Sequence, residues 1–368
     1  MKRVLILEPY FGGSHKLFLE GIQKTVEAEF VLMTLPARKW KMRMQFSAIW
    51  FVQQIQELPV GDRSFDVVLC STFVDVAVLR ALLGSIAGWN REALVKTYFH
   101  ENQFAYPSQQ KDISMRQFTS INCTTALASD GCAFNSHFNL DSFIKGVRKV
   151  IKFAADMKIP SCGDDILQKS VVLYPGMDYS FLDAVSSGVV DGGSPIIVWN
   201  HRWEHDKGPE IFFDALYQLQ ERGVAFRLIV LGESYANMPE CFAEAEKRLA
   251  KEIIHFGYAE SRQRYSELLH QGDVLVSTAK HEFFGIAVLE GIRAGCYPLL
   301  PKSLSYPELY SDEFLYAPGK LATKLERYLH NPVTLEKETS RRLTERFSWQ
   351  RCKDEYTQWL FEKPLEKI

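Results

Sequence analysis

Short apolar runs of strand length alternate with longer amphipathic segments along almost the whole chain, and this alternation limits the fold more than any other feature of the sequence. The runs are continuously apolar instead of alternating with polar residues, which is typical of parallel strands that are covered on both faces. The segments between them carry apolar residues at helical spacing. The pattern predicts an α/β chain built on doubly wound parallel sheets.

The predicted strands form two series of six. The first series is Val4–Leu7, Phe30–Thr34, Val67–Ser71, Val95–Phe99, Ala133–Asn135 and Val171–Tyr174. The second series is Ile196–Trp199, Arg227–Leu231, Ile253–Phe256, Val274–Ser277, Tyr297–Leu300 and Phe314–Tyr316. The clearest predicted helices are Lys16–Glu29, Glu210–Arg222, Arg262–Gln271 and Thr323–Leu329.

A Gly- and Ser-dense run, residues 186–195, separates the two series. A chain of 368 residues is too long for one ordinary core and suits two domains. We therefore expect two Rossmann-like domains, residues 1–185 and 195–347, joined by a linker at 186–194. In such folds a ligand binds at the carboxyl ends of the strands, so we expect a site in a central cleft.

The composition excludes several other classes of protein. Apolar residues make up 46% and charged residues 24%, which is typical of a globular protein and not of a disordered one. No apolar stretch approaches the roughly 18 residues that span a bilayer, and the apolar start before Glu8 is too short for a secretion signal. The seven cysteines include no C-x-x-C pair. We therefore expect reduced, buried thiols in a cytoplasmic protein, without a structural zinc site.

Two loops of the first domain carry residues that suit ligand binding. Gly12 and Gly13 follow the first strand and precede a helix, where paired glycines let the backbone approach an anion. An ordinary tight turn with a Ser cap explains the same residues. His100 begins a polar run after the strand Val95–Phe99. It is either a structural histidine or a group that faces the cleft.

The first strand of the second domain is followed by a loop that contains Arg202 and Lys207. Pro209 suits the first turn of the next helix, so both cations lie just before a helix N-terminus. Arg offers bidentate geometry and Lys a point charge, which together make a diphosphate clamp. The alternative is a surface loop with solvated charges.

The segment 281–291 supplies two carboxylates, Glu282 and Glu290, eight positions apart. On one helix this spacing corresponds to roughly 12 Å of rise, which suits two separated hydroxyl-bearing rings of one extended ligand. Glu290 also lies in an otherwise apolar stretch, where an unpaired carboxylate is costly. The alternative is that Glu290 lies on the helix surface and Glu282 caps the helix.

Two basic clusters lie in the first half of the chain. Such clusters bind RNA phosphates and stack a base where an aromatic residue is included, but they are more often solvated surface. The second cluster is predicted to lie on one helical face. The first cluster is Arg38, Lys39, Trp40, Lys41 and Arg43, and the second is Lys145, Arg148, Lys149 and Lys152.

Motifs of several other enzyme classes are missing. No two Asp residues are separated by a single residue, so the D-x-D metal–nucleotide motif of one main glycosyltransferase architecture is lacking. The sequence also contains no Walker A, H-E-x-x-H or G-x-S-x-G motif.

The combination of Arg202, Lys207 and the Glu282/Glu290 pair resembles retaining glycosyltransferases of GT-B architecture. Phe347-Ser348-Trp349 resembles the start of their C-terminal helix, which packs back on the first domain and is expected here at 348–368. Six longer segments together resemble the tRNA-queuosine mannosyltransferase family: LILEPYFGGSH, YFHENQFAYP, AFNSHFNLDSF, NHRWEHDKGPE, EFFGIAVLEG and SYPELY. One departure is Gly208, where relatives are expected to carry Asn; either residue is expected to fit a turn.

The resemblance implies residue roles. Arg202 and Lys207 would hold the donor diphosphate, Glu290 the ribose and Glu282 the hexose. His100 would touch the sugar or orient the acceptor, and with Arg202, Lys207 and Glu282 it completes the predicted catalytic set. The remaining predicted donor contacts are the backbones of Gly12, Gly13, Gly257, Tyr258, Phe283, Phe284 and Gly285. The predicted acceptor side is formed by His15, Glu101, Asn102 and the two basic clusters.

The implied activity is transfer of mannose from GDP-mannose, with retention, to the cyclopentenediol of queuosine in a tRNA anticodon. No metal or other cofactor and no membrane partner is expected, and no catalytic base is assigned. One alternative is a GT-B enzyme acting on a lipid or polysaccharide, with a membrane face near Phe46–Phe51. Another is a non-catalytic RNA-binding module with a residual nucleotide-sugar cleft.

Overall fold

The structure is a computed structural model that describes residues 1–106, 114–154, 156–185, 193–234 and 237–362. The chain divides into two compact units. The first is Met1–Met177 together with Trp349–Ile368, and the second is Asp178–Ser348. The break falls at Met177, eight residues before the predicted domain boundary at 185. Residues 186–192 of the predicted linker lie outside the described residues.

Each unit contains one six-stranded sheet, and every neighbouring pair of strands is parallel. The first sheet has the order β2-β1-β3-β4-β5-β6. Its strands are β1 Arg3–Phe11, β2 Glu29–Pro36, β3 Val67–Ser71, β4 Leu94–Phe99, β5 Gly131–Phe134 and β6 Ser170–Val172. The helices of this unit are α1 Gly13–Thr25, α2 Trp40–Glu57, α3 Val76–Leu83, α4 Ser114–Ala128, α5 His137–Ile151, α6 Cys162–Gln168 and α15 Trp349–Phe361.

The second sheet has the order β12-β11-β10-β7-β8-β9. Its strands are β7 Ile196–Asn200, β8 Arg227–Leu231, β9 Ile253–Gly257, β10 Val274–Val276, β11 Tyr297–Pro301 and β12 Leu315–Tyr316. The helices of this unit are α7 Ser180–Asp183, α8 Pro209–Glu221, α9 Cys241–Arg248, α10 Arg262–His270, α11 Ile286–Arg293, α12 Tyr306–Leu309, α13 Leu321–His330 and α14 Lys337–Thr344.

All twelve predicted strands are confirmed, because the central strands are buried on both faces and their sequences are continuously apolar. The first predicted helix was misplaced. It runs over Gly13–Thr25, and Glu29, the predicted helix end, starts β2 instead. The glycine pair and Ser14, predicted to precede this helix, are therefore part of its start.

The C-terminal helix α15 belongs to the first unit. Its apolar face packs into the core formed by β1, α1 and β4, and Trp349 lies against Gly21 and Gly176 so closely that a Cβ at either glycine would overlap the indole. The hydroxyl of Tyr356 donates to the Tyr174 carbonyl at 2.9 Å. Helix α15 therefore shares one hydrophobic core with β1 and α1.

All seven cysteines lie in the described residues, and none forms a disulfide there. Five of them are buried, as the sequence predicts, while Cys123 and Cys241 are partly exposed. Among the described residues, no helix is both long and apolar enough to cross a bilayer.

Candidate functional site

The strand order of the second unit defines where its site lies. The order reverses between β7 and β10, and at such a switch point the two connections leave on opposite faces of the sheet and open a crevice at the carboxyl ends. The residues that follow β7 lead to Lys207, and those that follow β10 lead to Glu282. Topology therefore brings together two residues that lie 75 positions apart in the sequence.

Lys207 ends a short 3-10 turn, His205–Lys207, and its side chain is largely buried. The loop is fixed through Thr278, whose hydroxyl donates to the Lys207 carbonyl at 2.9 Å and accepts from the Trp199 indole at 3.0 Å. Gly208 then takes a left-handed conformation with φ of 62°, and Pro209 starts α8. The ammonium is therefore held by backbone that has little freedom.

The Lys207 ammonium has three close acceptors. Nζ donates to the His281 carbonyl at 2.9 Å and lies 3.3 Å from one oxygen of Glu282 and 3.3 Å from one oxygen of Asp206. Burial acts to lower the pKa of Lys207, but Glu282 and Asp206 outweigh it and raise that pKa. Burial acts to raise the pKa of Glu282, and Lys207 reverses the sign. Both groups are therefore charged at neutral pH.

Arg202 differs from Lys207 in its exposure. Its side chain is 53% exposed, and its guanidinium lies 3.1 Å from a carboxylate oxygen of Glu204. Its charge still reaches the cluster, since it acts to lower the pKa of both Lys207 and His201. His201 is buried, and burial together with the Lys207 charge lowers its pKa to about 4, so it is neutral at pH 7.

Glu282 and Glu290 do not lie on one helix, so the predicted rise of about 12 Å between them along a helix is wrong. Helix α11 begins at Ile286, so Glu282 lies in the preceding loop and Glu290 in the helix. Gly285, with φ of 99°, makes the turn between them. Glu282 accepts a long hydrogen bond of 3.5 Å from the Phe284 amide, so its carboxylate is fixed by this loop and by Lys207.

Glu290 is held by residues that the sequence interpretation missed. The Tyr265 hydroxyl donates to one Glu290 oxygen at 2.6 Å, and the Asn200 amide donates to that hydroxyl at 2.7 Å. Burial raises the pKa of Glu290, while the hydrogen bond from Tyr265 acts in the opposite direction. No motif links Tyr265 to Glu290 in the sequence, because the contact depends on how α10 packs beside α11.

The other predicted donor residues lie at ends of strands or beside Glu282. Gly257 ends β9 with φ of 132°, and a Cβ there would meet no other atom within 4 Å. Glycine is therefore favoured here by the positive φ and not by a lack of space. Tyr258 is 71% exposed. Phe283 and Phe284 are buried; the ring of Phe284 packs edge-on against Phe347. Their side chains belong to the core, which leaves only their backbones for a ligand.

The first unit has its own switch point, between β1 and β3. Glu8 at this point is fully buried and accepts from the Tyr10 amide at 2.8 Å and from the Ser71 hydroxyl at 3.1 Å. Its other oxygen lies 3.0 Å from Nδ1 of His15 in α1. Glu8 is not among the residues that the sequence predicts for a site, since a single acid at the end of a strand forms no recognisable motif.

His15 lies between two carboxylates and against two rings. Its Nε2 is 3.6 Å from a Glu101 oxygen, its ring centroid is 4.0 Å from that of His100, and it stacks on Phe73. Burial acts to lower the pKa of His15, but Glu8 and Glu101 raise it to about 10. A cavity of about 10 Å³, the space of about one water molecule, touches Glu8 and His100.

Glu8, His15 and His100 also each place one ligand-capable atom within 4.8 Å of the others. The geometry does not suit a metal. Nδ1 of His15 already lies at hydrogen-bonding distance from Glu8, and the His15 and His100 rings lie face to face, 32° from parallel with centroids 4.0 Å apart, so their nitrogen lone pairs lie in separate planes. A hydrogen-bonded charge cluster fits these residues better.

Two residues predicted on the acceptor side are not accessible. Asn102 is fully buried and donates to the Asn139 side chain at 2.8 Å and to Ser142 at 2.9 Å, so it ties the loop to α5. His15 is 5% exposed and belongs to the buried charge cluster. Glu101 faces His15 rather than an outer surface.

The glycine pair after β1 is only partly explained by backbone freedom. Gly12 is extended, and a Cβ there would lie 2.7 Å from the Ala37 side chain. Gly13 has φ of 50° with open space around the missing Cβ. The helix α1 that starts there has no side-chain cap, so the alternative of a turn with a Ser cap does not hold. Backbone groups at the start of α1 remain candidates for an anion contact.

The two basic clusters differ in structure. In the first, Arg38 and Lys39 precede α2, and Trp40 packs on Phe118 at 5.1 Å with Lys41 above its ring. Arg43 is partly buried.

The second cluster is not one continuous helical face. Helix α5 ends at Ile151, and Lys152 begins a 3-10 turn. Arg148 is paired with Asp164 at 2.5 Å. Lys145 and Lys149 lie in the helix itself.

Comparisons with known proteins agree with this geometry. Residues 3–177 match the sequence profile described as tRNA-queuosine alpha-mannosyltransferase N-terminal, and residues 185–347 match that of glycosyl transferases group 1. The tRNA-queuosine alpha-mannosyltransferase of Drosophila melanogaster is 35% identical over 344 residues, covering 91% of this chain and 89% of that protein.

Two more distant relatives extend the picture. A GDP-mannose-dependent alpha-(1-6)-phosphatidylinositol dimannoside mannosyltransferase of Mycobacterium tuberculosis is 27% identical over 162 residues, covering 43% of this chain and 41% of that protein. The solved structure of sucrose-phosphate synthase from Thermosynechococcus elongatus superposes with a TM-score of 0.70 at 12% identity, covering 97% of this chain and 98% of that one.

Two six-stranded parallel sheets, with the Lys207–Glu282 pair at the switch point of the second, define a glycosyltransferase of the GT-B class, as the sequence predicts. Within that class, the chain belongs to the tRNA-queuosine alpha-mannosyltransferase family.

The structure contradicts the expectation that either Gly or Asn fits position 208. A Cβ there would overlap the Thr278 carbonyl oxygen, and every residue other than glycine has a Cβ. Gly208→Ala should therefore lower the free energy of unfolding by about 1–3 kcal/mol more than Gly223→Ala does, as measured by urea unfolding. Gly223 is the matched control, because it has φ of 71° and nothing within 4 Å of a Cβ. Equal losses in the two variants would contradict the account.

The His15 cluster predicts a pH dependence of stability. Because the folded pKa is raised from 6.5 to about 10, the charged pair stabilises the fold fully below pH 6.5 and loses its effect as the pH rises towards 10. The free energy of unfolding of the native protein should exceed that of His15→Gln, and the difference should shrink by up to about 1.4 kcal/mol per pH unit across this window. A difference that does not change with pH would show that His15 is uncharged.

Proposed function

We propose that this protein transfers mannose from GDP-mannose, with retention, to the cyclopentenediol of queuosine in a tRNA. The observation that carries the proposal is the buried Lys207 ammonium, paired with Glu282 and placed at the N-terminal side of α8. A fixed cation there suits a diphosphate, since helix N-termini also favour anions. The relatives support the sugar and the acceptor: one is named for tRNA-queuosine and another for GDP-mannose.

In this proposal the reaction depends on the departure of the diphosphate. Lys207 and Arg202 neutralise the charge that develops on the leaving group, and because Lys207 is already held in place, little reorganisation is needed in the transition state. The exposed Arg202 would close on the phosphate as a bidentate donor when the nucleotide binds. A hydroxyl of the acceptor then attacks the oxocarbenium-like sugar on the face that the leaving group occupied. An oxygen of the leaving phosphate accepts the proton of that hydroxyl.

Glu282 and Glu290 serve as hydroxyl acceptors in this proposal. Glu282 is ionised by its contact with Lys207 and suits hexose hydroxyls. Glu290 is oriented by Tyr265 and suits the ribose. The side chains supply the positive charge that the leaving group needs, so we propose that no metal cofactor takes part.

A lipid-directed glycosyltransferase is the second candidate. In α2, Met42, Phe46 and Ile49 are exposed on one face, at positions that follow helical spacing, while Phe51 is fully buried. Within the predicted membrane face at 46–51, only Phe46 and Ile49 are exposed apolar residues, and Met42 extends the exposed face by one helical turn beyond that range. Cosedimentation with anionic liposomes, compared between the native protein and Phe46→Ser, tests this candidate.

Lys207→Ala should reduce kcat/KM by the equivalent of about 2 to 4 kcal/mol, since it removes the cation that meets the leaving diphosphate. The measurement is transfer of radiolabelled mannose at varied donor concentration, with far-ultraviolet circular dichroism to verify folding. Lys247→Ala, at an exposed position of α9, is the control and should retain native kinetics. A folded Lys207→Ala protein with native kinetics would remove Lys207 from the reaction.

The acceptor is tested with two preparations of the same tRNA, one containing queuosine and one not. Radiolabelled GDP-mannose should label the first and leave the second unlabelled, because the cyclopentenediol provides the attacking hydroxyl. Equal labelling would reject the acceptor assignment. Labelling of lipid extracts instead of tRNA would favour the second candidate.

A further inference from the structure

A buried chain of polar groups in the first unit links Glu8 to His100 through His15. Glu8 lies at the end region of β1, His15 in the first turns of α1, and His100 directly after β4. The Glu8–His15 distance is 3.0 Å, and the two imidazole centroids are 4.0 Å apart. Glu8 has no predicted ligand contact, and His15, which was predicted on the acceptor side, is buried. Burying charged groups together is costly unless they are paired.

Two carboxylates favour the charged form of His15. Nδ1 lies 3.0 Å from Glu8, which offers only acceptors, so Nδ1 carries a proton and donates to it, and Nε2 lies 3.6 Å from Glu101, an ion-pair distance that favours a proton there as well. Glu8 cannot easily turn away, because its second oxygen accepts from the Tyr10 amide and from Ser71. The pair is therefore a fixed imidazolium–carboxylate unit.

The ring of His100 packs against other rings, although the residue remains partly exposed. His15 covers one side, Phe18 packs edge-on with centroids 4.8 Å apart, and Tyr98 packs edge-on at 4.7 Å. The backbone is held as well, since the Asn135 amide donates to the His100 carbonyl at 2.6 Å. His15 is the one charged group that contributes to the perturbed pKa of His100.

We propose that Glu8 and His15 form a positioning pair for His100: Glu8 keeps His15 charged, and the charged, stacked His15 ring keeps His100 neutral and in one orientation. A neutral imidazole can exchange hydrogen bonds with a hydroxyl of the sugar or of the acceptor as both donor and acceptor, whereas an imidazolium only donates. The inference rests on the proposed function and on the role that the family resemblance implies for His100, which is to touch the sugar or orient the acceptor. Glu8 and His15 themselves need not touch the substrate.

The charges around the cluster set the sign of the expected pH effect. The titratable groups that contact His15 are Glu8, Glu101, His100 and Tyr10. Burial and the His15 charge hold the pKa of His100 well below 6.5. Loss of the His15 charge removes the second cause, so the pKa of His100 rises and the neutral form is lost at a higher pH than in the native protein.

The test uses the full-length variant Glu8→Gln, which retains the shape and the hydrogen-bonding length of the side chain but not its charge. We expect kcat for mannose transfer to fall by roughly 10- to 100-fold with KM for GDP-mannose changed by less than about 3-fold, as expected for a misplaced catalytic group. We also expect the acid limb of the pH–kcat profile to move upward by about one pH unit or more. A purely structural role would lower activity by the same factor at every pH.

The matched control is Glu57→Gln, which removes the same charge at an exposed position of α2 and should keep the native profile. His15→Gln is the second variant, and its acid limb should shift in the same direction as that of Glu8→Gln. An unshifted acid limb in both variants would overturn the proposal, whatever the change in rate.

Imidazole NMR titration of the free protein separates this inference from the proposed function. His15 should remain protonated above pH 8 in the native protein and titrate at lower pH in Glu8→Gln, and the pKa of His100 should rise in that variant. If GDP-mannose is not a donor but these shifts occur, the proposed function fails and the positioning pair stands. A native His15 that titrates near 6.5 would refute the pair, even in an active enzyme.

Discussion

The ammonium of Lys207 is the group on which the second unit depends. Its side chain is 10% exposed, and a cation so far from solvent is stable only when acceptors surround it. The Glu282 and Asp206 carboxylates and the His281 carbonyl meet that need. The three acceptors come from the two loops that follow β7 and β10, so a single cation holds together both walls of the switch point. In the proposed function, the same charge binds the diphosphate of the donor.

Each of the two units has a buried charged group at the switch point of its sheet, but the adjacent side chain that this group influences is acidic in one unit and basic in the other. In the second unit, a lysine is surrounded by acceptors and draws Glu282 into its ionised form. In the first unit, the His15 imidazolium lies between the carboxylates of Glu8 and Glu101, and burial together with the His15 charge lowers the pKa of His100. In both cases a fixed buried charge sets the protonation of an adjacent side chain, which is the property that a hydroxyl-binding site needs at neutral pH.

The sequence predicts the sheets well and the site contacts less completely. Every strand was found because buried parallel strands have continuously apolar sequences, which is a local property. Lys207, Glu282 and Glu290 could be selected as candidate site residues because each follows a recognisable strand. Tyr265 and Glu8 were missed, since their importance arises from contacts between elements distant in sequence. The helical spacing of Glu282 and Glu290 was misread because Gly285 was not recognised as the residue before the helix start.

Gly208 and Asn102 show a different limit of the sequence. A glycine before Pro209 indicates a turn, but the Thr278 carbonyl that excludes every Cβ there comes from the loop after β10. Asn102 lies in a polar run beside His100, which favours a binding role. In the structure its side chain instead donates a hydrogen bond to Asn139 near the start of α5. The residue type alone does not show whether a polar side chain binds a ligand or forms hydrogen bonds within the protein.

Calorimetric titration with GDP and with guanosine tests the central claim most directly, with the native protein compared to Lys207→Met. If the buried ammonium is the diphosphate contact, native protein binds GDP much more tightly than guanosine, and the variant loses that preference while its affinity for guanosine is unchanged. A Lys207→Met protein that still prefers GDP to the native extent would contradict the account.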